Sequence, residues 1–475
     1  MIAARAPTTG VNLIGYLEAD IGLGEVARKL ARALERTGIP VSTIVYRRPP
    51  SGEGWDEAAV SGEASYDTNV VCLNADQLRH FADEAGVELF AGRHTIGVWF
   101  WETNVLREED RRGALLVDEV WVASEYVRQA IAPAVPVPTH VVPLPIEEPP
   151  APALARAQLG LPEGFLFLYM FDFLSAERKN PSAVVDAFTK AFAPGEGPLL
   201  LLKSVHGDAR KPQLLEELRR RTAGRTDVLL RDVRVSSEER DSYIAACDCY
   251  VSLHRSEGYG LTMAEAMACG KPTIATGYSG NLEFMSDENA YLVPHRLVRV
   301  PDGWWAYRHG AEWAEPDIEA AAAAMRHVWE HPDDASAKAA RARGELLLRF
   351  SLDRTAAFIN DRWGGLRARR VVRTGDALRV ARTAILEASR DLEKGIADAL
   401  DDGGSRTAAF VRRLLRRALW PYLADQRRFH VSALDAMNAL LRSLDDLERR
   451  VGALEKGEGA DLPAKEGALQ SADTS

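Results

Sequence analysis

The stretch Arg255-Ser-Glu-Gly-Tyr-Gly-Leu-Thr-Met-Ala-Glu-Ala-Met-Ala-Cys-Gly-Lys-Pro272 limits the fold more than any other part of the chain. It sets two carboxylates, Glu257 and Glu265, eight residues apart across a Gly-Tyr-Gly turn. Before it, the apolar run Cys249 to Leu253 reads as a buried strand. After it, Leu261, Ala264 and Ala268 have helix spacing, and Gly270 with Pro272 ends that helix. A second strand, Thr273 to Thr276, follows at once. Strand, glycine turn, helix and strand make one βαβ unit, whose turn lies at the carboxyl end of a parallel sheet. Ligands bind there in open α/β sheets, because free N–H groups and a helix start point outward.

The two glutamates differ in how much structure alone explains them. Thr262-Met-Ala-Glu265 has the form of a capping box, in which Glu265 reaches back to the Thr262 N–H and starts the helix. Glu265 is therefore a cap, a ligand contact, or both. Glu257 has no such structural role. It stands just before two glycines that let backbone approach a ligand, in a loop where binding groups concentrate.

The same βα rhythm runs through most of the chain. Val11 to Leu17 reads as a first strand, followed by the turn Glu18-Ala-Asp-Ile-Gly-Leu-Gly-Glu25. A helix with Val26, Leu30, Ala33 and Leu34 on one face comes next, then the strand Val41 to Val45. Gly22 and Gly24 thus lie in a Rossmann-like first turn, weak evidence by itself because two glycines also serve a tight turn. Asn69 to Leu73, Thr95 to Trp101 and Val117 to Ser124 are further strands. Ser124 caps the next helix, and Asn74 and Asp76 are turn formers before they are contacts. Pro149-Pro-Ala-Pro152 is the candidate interdomain linker. Beyond it lie strands at Phe165 to Phe171, Leu199 to Lys203 and Val228 to Leu230. Asn180 and Pro181 are the N-cap and first residue of a helix, and Ser236 caps another. Trp313 to Asp317 leads into an alanine-rich helix from Ile318. Arg178 and Lys179, two cations at a helix start, form a candidate anion site or a solvated surface pair.

The stretch from Glu257 to Glu265 resembles the Glu-x7-Glu signature of retaining GT-B glycosyltransferases of family 4, of the surface-polysaccharide type. The likeness continues through Ala275-Thr-Gly-Tyr-Ser-Gly-Asn-Leu-Glu-Phe284 and covers roughly residues 10 to 360. The resemblance implies an α/β fold of two Rossmann-like domains facing a cleft: residues 1–150 for the acceptor and 151–350 for a nucleotide-sugar donor. A crossover helix, 351–366, would return to the first domain. By the same resemblance Glu265 meets the ribose and Glu257 the donor sugar, while the backbone of Gly258, Tyr259, Gly260 and Leu261 meets sugar and phosphate. Lys179 in Lys-Asn-Pro takes the phosphate role. The family arginine commonly lies several residues earlier, so Arg178 is its nearest equivalent here. Gly22 and Gly24 let the first turn approach the diphosphate. Where many members carry His or Asp near the sugar, this chain has Glu102, either a hydroxyl contact or a loop cap. Retention in the family is pictured as front-face attack, with the leaving phosphate taking the acceptor proton. No side-chain nucleophile is needed, unlike in the paired-carboxylate glycosidases.

The function implied is transfer of a sugar from a nucleotide-diphosphate donor to a saccharide or lipid-linked acceptor. No cofactor is expected, and no essential metal, since no Asp-x-Asp stands at a strand end. A GT-B phosphorylase, a disaccharide-phosphate synthase and an inactive scaffold are the alternatives. Net charge of -10 argues against nucleic acid as a bulk partner. Cys72, Cys247, Cys249 and Cys269 show no metal or disulfide spacing, and buried free thiols are expected. No signal or spanning segment is found, which suggests a cytoplasmic protein. His140 and His254 read equally as core, surface or catalytic residues.

From about residue 367 strands vanish and a helical extension runs to Gly457, with a composition suggesting disorder in 458–475. Phe410 to Tyr422 pairs arginines with apolar residues, a pattern for an anionic membrane surface or for packing on the enzyme. Met437, Leu440, Leu444, Leu447, Val451 and Leu454 form a short a/d seam, for a homodimer coiled coil or for internal packing.

Overall fold

The structure is a computed structural model, and it describes residues 8–48, 59–86, 89–90, 92–301 and 310–370. The basic stretch 410–422, the heptad seam and the tail 458–475 lie outside the described residues.

The first sheet is built from β1 (Thr8–Gly15), β2 (Val41–Tyr46), β3 (Val60–Ser61), β4 (Tyr66–Cys72), β5 (His94–Trp99), β6 (Glu119–Val122) and β7 (Thr139–Val141). Its order is β3-β2-β1-β4-β5-β6-β7, parallel except for the β3 edge. Helices α1 (Gly22–Glu35), α2 (Ala75–Ala85) and α3 (Glu125–Ile131) follow β1, β4 and β6. Parallel strands covered on both faces read as near-continuous apolar runs, and β1 does so apart from buried Asn12, whose amide donates to Tyr66 O and Asn69 Oδ1. Val11 and Leu13 join the core that holds Val26, Leu30 and Leu34 of α1, while Ile14 joins the opposite face. Each such side chain, fully withdrawn from water, contributes about 1.5–3 kcal/mol.

The second sheet comprises β8 (Leu166–Asp172), β9 (Leu199–Val205), β10 (Val228–Asp232), β11 (Cys249–Ser252), β12 (Thr273–Thr276) and β13 (Tyr291–Val293). Its order is β10-β9-β8-β11-β12-β13, all parallel. Around it lie α4 (Ala176–Lys179), α5 (Pro181–Ala191), α6 (Gly207–Arg210), α7 (Pro212–Arg221), α8 (Ser237–Ala246) and α9 (Leu261–Ala268). In both sheets the strand order reverses beside the first strand, between β1 and β4 and between β8 and β11. The carboxyl ends at those two points are where such folds take ligands.

One strand pair escapes the sequence reading. Residues 312–316 form β15 (Glu312–Pro316), antiparallel to β14 (His295–Arg299), where only a lead-in to the next helix was expected. Pairs this short leave little periodicity to read. Asp317 still caps α10 (Ile318–Glu330), accepting from the N–H of Glu319 and Ala320. Helices α11 (Pro332–Arg349) and α12 (Leu352–Arg370) close the described chain. α12 returns to the first sheet: Thr355 donates to Pro143 O at 2.6 Å, Arg362 pairs with buried Glu119, and Phe358 packs on Trp121. Among the described residues no helix is long and apolar enough to cross a membrane. Cys72, Cys247 and Cys249 are buried and unbridged, and Cys269 is partly exposed.

Candidate functional site

The turn after β8 places the two cations. Asp172 caps the turn by accepting from the Leu174 N–H, one helical turn follows as α4, and Asn180 takes a left-handed backbone (φ 56°) before Pro181 starts α5. Asn180 is thus at the N-cap position, but its side chain does not cap. The left-handed backbone turns the amide away, and it donates to Leu253 O at 3.1 Å, tying this turn to the end of β11. The Arg255 N–H reaches back to Arg178 O at 2.7 Å. Two neighbouring strand ends are thereby locked together.

Glu257 sits between the cations. Its carboxylate takes Lys179 Nζ at 2.5 Å on one oxygen and Arg178 at 2.9 Å on the other. Burial pushes the carboxyl up, but Lys179 and Arg178 outweigh it and hold it at about 2. The backbone around Glu257 is fixed as firmly. Its N–H donates to Ser279 Oγ and its carbonyl accepts from the Gly280 N–H, both at 2.8 Å. Gly280 must be glycine: an added Cβ would stand 2.1 Å from Gly258 O.

The two cations are not equivalent. Arg178 is buried, gives Ser256 O a 2.7 Å hydrogen bond, and has Glu102 within 3.8 Å. It mostly holds the loop. Lys179 is more open, and an ammonium has three N–H groups, so Glu257 leaves donors for a ligand. With Glu102, Glu257, Arg178 and Lys179 together, the formal charges cancel. Further attraction for an anion must come from dipoles, and the start of α9 supplies them. Gly260 adopts φ 98° there, and the N–H groups of Gly258, Tyr259, Gly260 and Leu261 donate to no described protein group.

The expected capping box does not form. α9 is capped two residues earlier, on left-handed Gly260, so Thr262 lies inside the helix and its hydroxyl accepts from Tyr250 at 2.9 Å. Glu265 is released from that duty. It is partly exposed, and the charges that act on it are Arg240 and Asp241 of α8 and Lys29 and Glu25 of α1. Burial raises its carboxyl above the ordinary range, although Arg240 and Lys29 pull the other way.

The first turn reaches the same side. Asp20 accepts from Ser237, at the start of α8, at 3.2 Å. Gly22 and Gly24 divide the work. A Cβ at Gly24 would meet Ala19 O at 2.4 Å and Tyr16 O at 2.6 Å, whereas one at Gly22 would meet nothing within 4 Å. Asn74 is structural, accepting the Phe100 N–H at 2.8 Å. His140 leans on Glu119 beside α12, away from this cluster.

Sequence reasoning missed the support around Glu257. His254 is wholly buried, and burial lowers its pKa, leaving it neutral. Its Nε2 faces two carbonyl oxygens, Tyr278 O and Asn281 Oδ1, so that nitrogen carries the proton and Nδ1 accepts from Ser252. It holds the Tyr278-to-Asn281 loop that in turn holds Glu257. The segment Tyr278-Ser-Gly-Asn281 was visible in the sequence, but without any clue to these bonds. Among the described residues no three His, Cys, Asp or Glu side chains are placed to hold a metal.

Residues 166–300, which contain β8 to β14 and all of this cluster but Glu102 and the first turn, match the family model of glycosyl transferases group 1. The chain carries a glycosyltransferase domain. The whole described fold is GT-B. It is similar to HepE of Anabaena, solved with UDP and glucose, at 16% identity and a TM-score of 0.55, covering 75% of this chain and 100% of that one. It is likewise similar to sucrose-phosphate synthase of Thermosynechococcus elongatus, at 19% identity and a TM-score of 0.57, covering 76% and 99%. No curated protein matches the chain in sequence. The glycosyltransferase domain thus holds Arg178, Lys179, Glu257 and Glu265, and the first domain adds Glu102 and the Gly22 turn.

Proposed function

We propose that this chain transfers a sugar, with retention of configuration, from a nucleotide-diphosphate donor to a saccharide or lipid-linked acceptor in the manner of family 4. The observation that carries the reading is the Arg178–Glu257–Lys179 arrangement at the β8/β11 reversal, beside the unpaired N–H groups that begin α9. Lys179 and those N–H groups receive the diphosphate, and the start of α9 stabilises charge growing on the leaving phosphate. Preorganised donors of this kind remove a few kcal/mol from a barrier. Arg178 orients Glu257, which meets donor-sugar hydroxyls, and Glu265 accepts from the ribose. Glu102, across from Arg178, is on the acceptor side of the sugar. Glu257 is an unsuitable general acid, because its depressed pKa keeps it ionised. That supports a route in which the leaving phosphate itself takes the acceptor proton. Neither a metal nor another cofactor is needed for such a step. Synthesis of a cell-surface polysaccharide or glycoconjugate is the proposed setting.

A thermal-shift screen of UDP-, GDP- and dTDP-sugars tests the reading, because a ligand that binds only the folded state raises its apparent stability. UDP-glucose is the first donor to try, given that the HepE complexes hold UDP with glucose and UDP-glucose. The expected result is a shift with one base, abolished by Glu265→Ala in a protein that still folds. Undiminished nucleotide-sugar affinity in that variant would remove the assignment. Turnover only with free phosphate and a disaccharide would replace transfer by phosphorolysis.

A further inference from the structure

Glu257 is gripped from both sides by a helix of the other domain. Ser124, just after β6, uses its one hydroxyl twice: it accepts the Val127 N–H to cap α3 and donates to Gly258 O at 2.8 Å. Two residues on, the Tyr126 hydroxyl lies 3.1 Å from Ser256 Oγ and 3.4 Å from the Tyr278 hydroxyl. Ser256 and Gly258 are the immediate neighbours of Glu257 in the chain. Between them, the Glu125 N–H at the start of α3 donates to Glu283 Oε2 at 2.8 Å. Ser124 and Ser256 are almost fully buried, so these bonds are shielded from competing water. Burial also raises the Tyr126 phenol, which stays a neutral donor across the working range.

We infer that Ser124 and Tyr126 are positioning residues of the acceptor domain that set the Glu257 loop, so that the donor-sugar pocket is complete only when α3 is docked on it. The inference deepens the proposed donor site and rests on that reading for the identity of the ligand. The groups assigned to phosphate and ribose, Lys179 and Glu265, belong to the second domain, and among the described residues no hydrogen bond or ion pair ties them to α3. The Glu257 loop is different, since it takes hydrogen bonds from both domains. Loss of the clasp should therefore weaken recognition of the sugar and spare that of the nucleotide.

Tyr126→Phe is the cleanest test, because it deletes the hydroxyl and keeps the ring, which packs edge-on to Tyr278 at 5.4 Å. Hydrogen exchange of the Glu257 and Gly280 amides, measured without ligand, should quicken about fivefold, the scale of one hydrogen bond's net contribution. Calorimetry should show UDP bound within about twofold of wild type, while the extra affinity of UDP-glucose over UDP falls about fivefold. Ser124→Ala should act in the same direction, and Ser124→Thr, which keeps the hydroxyl, should restore wild-type exchange. Unchanged amide exchange in Tyr126→Phe overturns the inference. Faster exchange with an unchanged sugar increment also overturns it, reducing the clasp to a packing contact. If wild-type protein binds neither ligand but the exchange still quickens, the clasp stands and the donor reading falls.

Discussion

Two turns of this molecule are written almost alike, Gly22-Leu-Gly24 after β1 and Gly258-Tyr-Gly260 after β11, each leading from a strand into a helix. They hold glycine for different reasons. In the first, Gly24 is needed because the chain folds back onto its own carbonyls, and Gly22 faces open space. In the second, Gly260 provides a left-handed backbone that starts α9, and Gly258 lies under Trp101 O of the other domain, 3.1 Å from where a Cβ would stand. The carboxylate that flanks the first turn, Glu25, pairs with cations of its own helix, Arg28 at 3.0 Å and Lys29 at 3.6 Å. The second turn is flanked by one that two cations at another strand end hold ionised. A Gly-x-Gly pattern reports that backbone comes close to something, and only the structure says whether that is itself, a partner domain or open space for a ligand.

The largest effect should come from adding one methyl group where the second turn is tightest. Gly280→Ala puts a Cβ 2.1 Å from Gly258 O and 2.7 Å from Tyr259 N, both backbone atoms that cannot swing aside. A loss of about 3 kcal/mol or more is expected in denaturant unfolding, with transfer activity abolished. Gly24→Ala meets backbone at 2.4 Å and 2.6 Å and should cost about 2–3 kcal/mol. If Gly280→Ala unfolds no more easily than wild type, the close packing described for the Glu257 loop is wrong.

Next is the charge that sets the second turn apart. Glu257→Ala leaves Arg178 buried beside Lys179 without their shared partner, and removing one member of a buried pair costs about 3 kcal/mol. The pH dependence identifies the cause. Glu257 titrates at about 2 in the folded chain against an ordinary 4.5, so its stabilisation is present above about 4.5 and lost as pH falls through about 2. The gap between wild type and variant should close over that window in urea melts. A gap that stays constant down to pH 2 would mean that packing, not charge, makes the difference.

Glu265 should show the opposite sign. Its raised pKa means that the fold prefers the protonated carboxyl, a preference satisfied at low pH and lost as pH rises through the folded value. Glu265→Gln should therefore melt higher than wild type at pH 7, with the advantage fading in acid. Nucleotide affinity should drop about tenfold, as for a lost hydrogen bond to a charged acceptor. A variant that melts lower and binds equally well would return Glu265 to a structural role.

How much of this was legible in the sequence depended on whether a feature was local. Strands such as Thr273 to Thr276 and caps such as Ser124 and Ser236 are fixed by neighbouring residues, and the structure has them. The Thr262–Glu265 box failed because Gly260 caps the helix two residues earlier, a backbone choice no spacing rule registers. The convergence of Glu102, Arg178, Lys179 and Glu257 joins three separate strand ends. Sequence could nominate each residue, but the ion pairs depend on a strand order that a single chain does not spell out. Tyr126 and His254 were illegible for the same reason, since their partners lie 130 and 27 residues away.

The smallest expected effect is the one that separates the two turns most directly. Gly22 is the first residue of α1, has ordinary negative φ, and has nothing within 4 Å of an added Cβ. Alanine is the better helix residue, by about 0.5–1 kcal/mol in a helix interior and less in the first turn. Gly22→Ala should therefore leave unfolding stability unchanged or raise it slightly, in contrast to Gly24→Ala two residues on. If the open space at Gly22 is where the donor diphosphate passes, the methyl group displaces it by a fraction of an ångström. Donor affinity should then fall about threefold, on the scale of one weakened hydrogen bond. Stability by urea melt and affinity by calorimetry, measured on one preparation, decide it. Unchanged affinity would leave the Gly22 turn as scaffold and put recognition of the diphosphate wholly on the second turn and Lys179.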